Sequence, residues 1–250
     1  MAELPAFEAV SLDVGGVLVV PDRRMLGDAL TRAGVPHDRD AFFEGHYRAM
    51  AEVDRCRSRP EEFTDYTRGL VRAVGVPDDR IDAGVAALAT ALALAEVWSE
   101  PVPGALAASR RLAAAGLRMA VTSNSDGTVA ERLRDHGLAQ VGVGPGLVVE
   151  HITDSGVLGL AKPHPAVFEA TARALALPPE RICHVGDSGS YDADGAAAVG
   201  MVAVHVDPLG LCPGDHVHAT SLADFADRLL AGPRQAVAPT GGPASDRRRP

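Results

Sequence analysis

Apolar runs of strand length alternate with helical segments along most of this chain, and that rhythm restricts what it can fold into. AFEAVSLD (6–13), RMAVTS (118–123), LVVEHI (147–152), RICHVGD (181–187) and MVAVHVD (201–207) read as strands. GALAASRRLAAAG (104–116), GTVAERLRDHG (127–137), PAVFEATARALA (165–176), DADGAAAVG (192–200) and SLADFADRLLAG (221–232) place apolar residues at helical spacing. Strands and helices joined by short loops predict a parallel sheet with helices on both faces. The expected core is therefore α/β and Rossmann-like.

One segment breaks the rhythm. Residues 22–99 hold no convincing strand but several amphipathic stretches, with GVPHD and GVPDD as turn signals between them. An all-helical cap domain inserted after the first strand is expected there. PVPG (101–104) marks the return to the core. The predicted division is a core from 1–20 and 100–232, a helical cap over 21–99 and a disordered tail over 233–250. That tail is rich in Pro, Gly and Arg and almost without large apolar residues.

Composition narrows the function classes. Hydrophobic residues make up 46% of the chain, enough for a substantial core. A net charge of −9 argues against a general nucleic-acid binder and against an anionic membrane surface as partner. Cys56, Cys183 and Cys212 are an odd number without ligand spacing, which argues against disulfides and a zinc site and for a reducing cytosol. MAELPAFEAV lacks a signal-peptide core, and no apolar run approaches membrane-spanning length. A cytoplasmic protein is expected.

Polar residues at four strand ends carry the chemistry. In AVSLDVGGVLVV (9–20) a buried strand delivers Asp13 into a glycine turn. A carboxylate placed there needs a cation, hydrogen bonds or its own proton. VTSNSDG (121–127) puts Ser123 and Asn124 before a helix, GLAKPHP (159–165) does the same with Lys162, and VGDSGSYDADGA (185–196) holds Asp187 and Asp192 in a glycine-rich turn. Each alone has an ordinary reading as a helix cap, a surface lysine or a turn. Together they fall on the one edge of a parallel sheet where ligands bind.

The ordered set resembles the motifs of the haloacid dehalogenase-like hydrolase superfamily over residues 7 to 207. DVGGVL resembles its first motif, VTSN the second, Lys162-Pro163 the third and GDSGSYD the fourth. The resemblance implies a helical-cap phosphatase acting on a small phosphorylated metabolite through an aspartyl-phosphate. Asp13 would be the nucleophile. Ser123 and the backbone N–H groups around Val14 and Asn124 would bind phosphoryl oxygens, and Lys162 would neutralise the reacting groups. Asp13, Asp187 and the Gly15 carbonyl would hold Mg²⁺, with Asp192 beside it or ligating. Either a monomer or a homodimer fits the chain.

One position departs from the pattern. Phosphatases of the superfamily usually carry a second aspartate two residues after the nucleophile, as general acid and base; here that residue is Gly15. Glycine keeps a carbonyl for the metal and a backbone N–H for phosphate but moves no proton, a function worth on the order of a hundred- to ten-thousand-fold in rate. The substrate can have a good leaving group, another residue such as Asp22 or His46 can substitute, or the protein can bind phosphorylated ligands with little turnover. The metal-independent 2-haloacid dehalogenase branch also lacks that aspartate, and the GDxxxxD pair Asp187 and Asp192 weighs against it. In the cap, His46, Tyr47, Arg48, Asp54, Arg55 and Arg57 cluster as candidate substrate contacts, and Trp98 is expected at the cap–core hinge. His151, His164, His184 and His205 fall in or near core elements and lack metal-ligand spacing.

Overall fold

The computed structural model describes residues 5–59 and 63–231. The segment expected to be a disordered tail, 233–250, lies outside the described residues. The chain begins with β1 (Ala9–Leu12) and β2 (Val19–Pro21), followed by α1 (Arg23–Arg32), α2 (Phe42–Cys56), α3 (Thr64–Ala73) and α4 (Ile81–Leu92). It continues through β3 (Trp98–Pro101), α5 (Ala105–Ala114), β4 (Arg118–Ser123), α6 (Val129–Asp135), β5 (Ala139–Val141), β6 (Leu147–Val149) and β7 (His151–Asp154). Then come α7 (Ser155–Leu158), α8 (Pro165–Leu175), β8 (Ile182–Gly186), α9 (Asp194–Ala198), β9 (Val202–Val206), β10 (Val217–Ala219) and α10 (Leu222–Ala231).

Six strands form one sheet in the order β10-β9-β8-β1-β4-β7. Every pairing within it is parallel. The chain moves outward from β1 through β4 to β7, then returns to the other side of β1 and runs through β8, β9 and β10. The reversal opens a crevice beyond the carboxyl ends of the central strands. Strand alternation divides the sheet between two cores. Val10 and Leu12 face a cluster with Leu112 of α5, Leu133 of α6 and Phe225 of α10. Ala9 faces a second cluster with Phe168 and Leu175 of α8 and Ala196 of α9. The Rossmann-like α/β expectation is met.

Helices α1–α4 enclose an apolar cluster of their own, including Leu30, Phe42, Tyr66, Leu70, Leu88 and Leu92. The expectation that residues 22–99 hold no strand needs correcting at its carboxyl end, where β3 begins at Trp98. Val19–Pro21 and Trp98–Pro101 pair antiparallel as β2 and β3, a two-stranded neck at the base of the helices. Trp98 packs against both the helical cluster and the sheet core, where the sequence reading put it. A second correction concerns 147–152, read as one strand. Leu147–Val149 pairs with β5 in a separate small sheet, whereas His151–Asp154 forms the edge of the main sheet.

Candidate active site

Asp13 follows the last residue of β1, and its backbone N–H donates to Val185 O of the neighbouring strand at 2.9 Å. Its carboxylate is buried and meets Lys162 Nζ at 2.8 Å. The same ammonium meets Asp192 Oδ1 at 2.6 Å and donates to the carbonyl of Thr122 at 3.2 Å. All three of its hydrogens therefore have acceptors, which is how a lysine can lie only 1% exposed. Asn124 holds the lysine's backbone in place. Its Oδ1 accepts from Lys162 N at 2.7 Å and its Nδ2 donates to Lys162 O at 3.2 Å.

Asp187 and Asp192 sit in the turn after β8. Ligand oxygens of Asp13, Asp187 and Asp192 all lie within 4.8 Å of one another, in buried surroundings. Burial pushes the Asp13 carboxyl up to about 7; Lys162 opposes this, and the charges of Asp192 and Asp187 add to it. Burial would raise Asp192 as well, but the Lys162 charge and the His184 hydrogen bond outweigh it and hold that carboxyl well below the usual range. Lys162 would lose its proton more easily through burial alone, yet Asp13 and Asp192 keep it firmly charged.

The glycine turn after Asp13 explains the close approach of these groups. Gly16 has φ +61°, and a Cβ there would fall 2.1 Å from Asp187 Oδ2. A side chain at Gly16 would thus be strained and would displace Asp187. Gly15 is different: a Cβ there meets Trp98 Cζ3 at an ordinary 3.4 Å. Its carbonyl already accepts from Val17 N at 2.7 Å, and one lone pair remains.

Several participants were not evident in the sequence. His184 Nε2 lies 2.9 Å from Asp192 Oδ1, and its Nδ1 lies 3.3 Å from Ser11 Oγ. Burial lowers the His184 pKa, so the neutral ring donates to Asp192 and accepts from Ser11. The chain of hydroxyls continues from Ser11 to Thr122, Thr171 and Thr153, each step 2.7 Å. Polar residues alternating with apolar ones on β1, β4, β7 and β8 were the available signal.

The helices contribute too. His46 of α2 is buried, with Nε2 2.8 Å from Asp187 Oδ2 and Nδ1 2.7 Å from Tyr66 Oη. The Tyr47 hydroxyl donates to Gly16 O at 2.8 Å. Asp54 accepts from Ser188 Oγ, Gly189 N, Ser190 N and Ser190 Oγ at 2.6, 2.7, 3.0 and 2.7 Å. The other polar residues flagged on α2 are turned away: Arg48 pairs with Glu44 and Arg55 with Glu52 on the exposed surface. Asp22, considered as a stand-in for the missing acid, instead caps α1 by accepting from Arg24 N and Met25 N at 2.7 and 3.0 Å. His164 caps α8, its Nδ1 accepting from Ala166 N at 3.2 Å.

Asp13, Val14, Gly15, Ser123, Asn124, Lys162, Asp187 and Asp192 all line one cavity of about 280 Å³. His46, Phe63, Tyr66 and Trp98 form its apolar roof, so carboxylates and lysine lie beneath aromatic rings.

The model of the haloacid dehalogenase-like hydrolases matches residues 7–200. The chain belongs to this family. This haloacid dehalogenase-like hydrolase is 34% identical over 107 residues to the haloacid dehalogenase-like hydrolase domain-containing protein 3 of Xenopus laevis, covering 43% of this chain and 41% of that protein. It is 31% identical over 137 residues to (S)-2-haloacid dehalogenase H-109 of Pseudomonas putida, covering 52% and 57% of the two chains. The chain thus spans about half the length of the curated relatives it matches. The fold of the HAD phosphatase from Thermococcus onnurineus superposes with a TM-score of 0.54 at 17% identity, covering 90% of this chain and 99% of that one. Among the described residues, no helix is long and apolar enough to cross a membrane.

Proposed function

We propose that this hydrolase is a Mg²⁺-dependent phosphatase acting on a small phosphorylated metabolite through an aspartyl-phosphate on Asp13. The observation that carries this reading is the cluster of three buried carboxylates, Asp13, Asp187 and Asp192, of which Asp13 and Asp192 share the one lysine. Fully ionised, their charge exceeds what Lys162 neutralises, and a bound cation would balance the excess that Asp13 otherwise relieves by keeping its proton. The donor set is all oxygen, which suits Mg²⁺. Asp13, Asp187 and the Gly15 carbonyl would hold the ion. Asp192, engaged by Lys162, His184 and Ser188 N, would stand behind them. When bound, Mg²⁺ would neutralise the carboxylates and polarise the phosphoryl group.

The chain's own residues carry the rest. Lys162 occupies Asp13 Oδ1, leaving Oδ2 to attack phosphorus as the bond to the leaving oxygen breaks. Lys162, the Ser123 hydroxyl and backbone N–H groups around Val14 and Asn124 stabilise the phosphoryl oxygens. Water then attacks the phosphorus of the aspartyl-phosphate, releasing inorganic phosphate and restoring Asp13. Helices α1–α4 act as the cap, with the aromatic roof excluding bulk water. The unpaired thiols of Cys56, Cys183 and Cys212 are consistent with a cytoplasmic setting.

A phosphate-release screen with and without Mg²⁺, on wild type and Asp13→Asn, tests the proposal. Mg²⁺-dependent release that vanishes in Asp13→Asn is expected; full activity in that variant would overturn the mechanism. Gly15 and the resemblance to the Pseudomonas putida dehalogenase favour a second reading, metal-independent 2-haloacid dehalogenation. Halide release unaffected by a chelator, with no phosphatase activity, would put that reading first.

A further inference from the structure

A second cluster lies beside the candidate active site, on the far side of Asp187. His205 of β9 and His218 of β10 are direct partners in the parallel ladder, and the connection between them carries Cys212 and His216. Ligand atoms of His205, Cys212 and His218 lie within 4.8 Å of one another. The His205 and His218 ring centroids are 5.3 Å apart, and the His216 ring lies 5.8 and 5.9 Å from them.

The hydrogen bonds show which atoms are available. His205 Nε2 lies 3.1 Å from the backbone carbonyl of Asp187, which can only accept. Nε2 therefore carries the proton, and Nδ1 presents a lone pair. That Nδ1 is buried without a partner, in a residue only 3% exposed. His218 Nε2 is likewise buried and unpartnered. Two imidazole nitrogens without hydrogen bonds, converging with a sulfur, form a costly arrangement unless something accepts their electrons. The loop is also built to present the sulfur: Asp207 accepts from Leu211 N and Cys212 N at 3.0 and 2.8 Å. Asp54, Asp187, Asp194 and Asp207 line the adjoining cavity with His205, Cys212 and His216, and Arg48, Arg55 and Arg57 line it too.

We propose that His205, Cys212 and His218 form a binding site for a divalent cation of the Zn²⁺ class, separate from the carboxylate site. Two nitrogens and a thiolate match Zn²⁺ rather than Mg²⁺, and three protein ligands leave a fourth position for water or His216. The expectation of no zinc site rested on linear spacing, which has no ligand motif in HVDPLGLCPGDHVH (205–218); the fold supplies the proximity instead. Through its Nε2 bond to Asp187 O, His205 would connect this ion to the backbone of the acidic turn.

Titrating the metal-free full chain with Co²⁺ tests the site. One equivalent should produce a thiolate-to-cobalt charge-transfer band and visible bands of tetrahedral coordination, and Zn²⁺ should abolish both. Cys212→Ser should remove the charge-transfer band, while Asp187→Asn should keep it, separating this site from the carboxylates. Absence of the band in wild type, or its survival in Cys212→Ser, would overturn the proposal. Should Cys212→Ser fail to fold, nitrogen chemical shifts of the wild-type histidines decide: Zn²⁺ must shift His205 Nδ1 and His218 Nε2, and unchanged shifts overturn the assignment.

Discussion

The Asn124 side chain grips the backbone of Lys162 from both directions, accepting from its N–H and donating to its carbonyl. Residues 38 apart in sequence are thereby locked at the mouth of one cavity, and the lysine's ammonium is aimed at Asp13 by its own main chain. Asn124→Ala should remove both bonds, at about 0.5–1.5 kcal/mol each. Urea denaturation should show the combined loss, and the catalytic rate should fall with it. An unchanged rate would mean that the lysine is held by its carboxylate partners alone.

Lys162→Met should be worse, because it strands two buried carboxylates. Losing one partner of a buried ion pair costs about 3–5 kcal/mol. The loss should depend on pH. In acid the stranded Asp13 can take up a proton and its charge disappears; as the pH rises, keeping that proton costs progressively more, because Lys162 no longer offsets the effect of burial. Denaturation midpoints at pH 5 and pH 8 should therefore show the variant closer to wild type at the lower pH.

Mg²⁺ binding should release protons. Without metal, burial pushes Asp13 up to about 7, so below that pH the carboxyl is mainly protonated and must ionise to ligate. Apparent Mg²⁺ affinity should rise with pH up to about 7 and level off above it. Calorimetry at pH 6 in two buffers of different ionisation enthalpy should detect the released proton. Identical heats would show that Asp13 is already ionised.

The two adjacent glycines should respond in opposite ways. At Gly15 a Cβ meets Trp98 at ordinary contact distance, so Gly15→Asp should fold. If the missing proton donor limits turnover, kcat on alkyl phosphates should rise, up to on the order of a hundred- to ten-thousand-fold. Gly16→Ala should abolish activity, since its Cβ would collide with Asp187 and its φ is positive.

His46→Gln should weaken Mg²⁺ binding by about 10–100-fold, the usual effect of losing a hydrogen-bonded partner of a metal ligand. Its Nε2 bond orients Asp187, and Tyr66 in turn orients the ring. Equilibrium titration of the variant with Mg²⁺ is the check, with Tyr66→Phe expected to show a smaller loss of the same sign.

The strands that carry Asp13, Ser123 and Asp187 were legible because each is an apolar run ending in a polar residue. What escaped was shorter or longer in range. β2, β5, β6 and β10 have three residues each, too few to show a period. The run 147–152 looked continuous because no Gly, Pro or Asn interrupts LVVEHI, although Glu150 N bonds Met119 O where one strand gives way to the next. His46 meets Asp187 across 141 positions and His184 meets Ser11 across 173, pairings that no local spacing announces. The resemblance located Lys162 at the site; its second partner, Asp192, and the hydroxyl chain behind it came from the fold.

Asp54 joins a helix on one side of the cavity to the turn holding Asp187 and Asp192 on the other. His46 and Tyr47 of the same helix bond Asp187 and Gly16 O, so a ligand too large for the cavity would have to part these contacts as well as the four of Asp54. Entry would then be timed by the whole set of contacts that α2 makes with the sheet side, of which Asp54 supplies the most bonds. Substrate size, in this arrangement, would be filtered first by how often those contacts let go together.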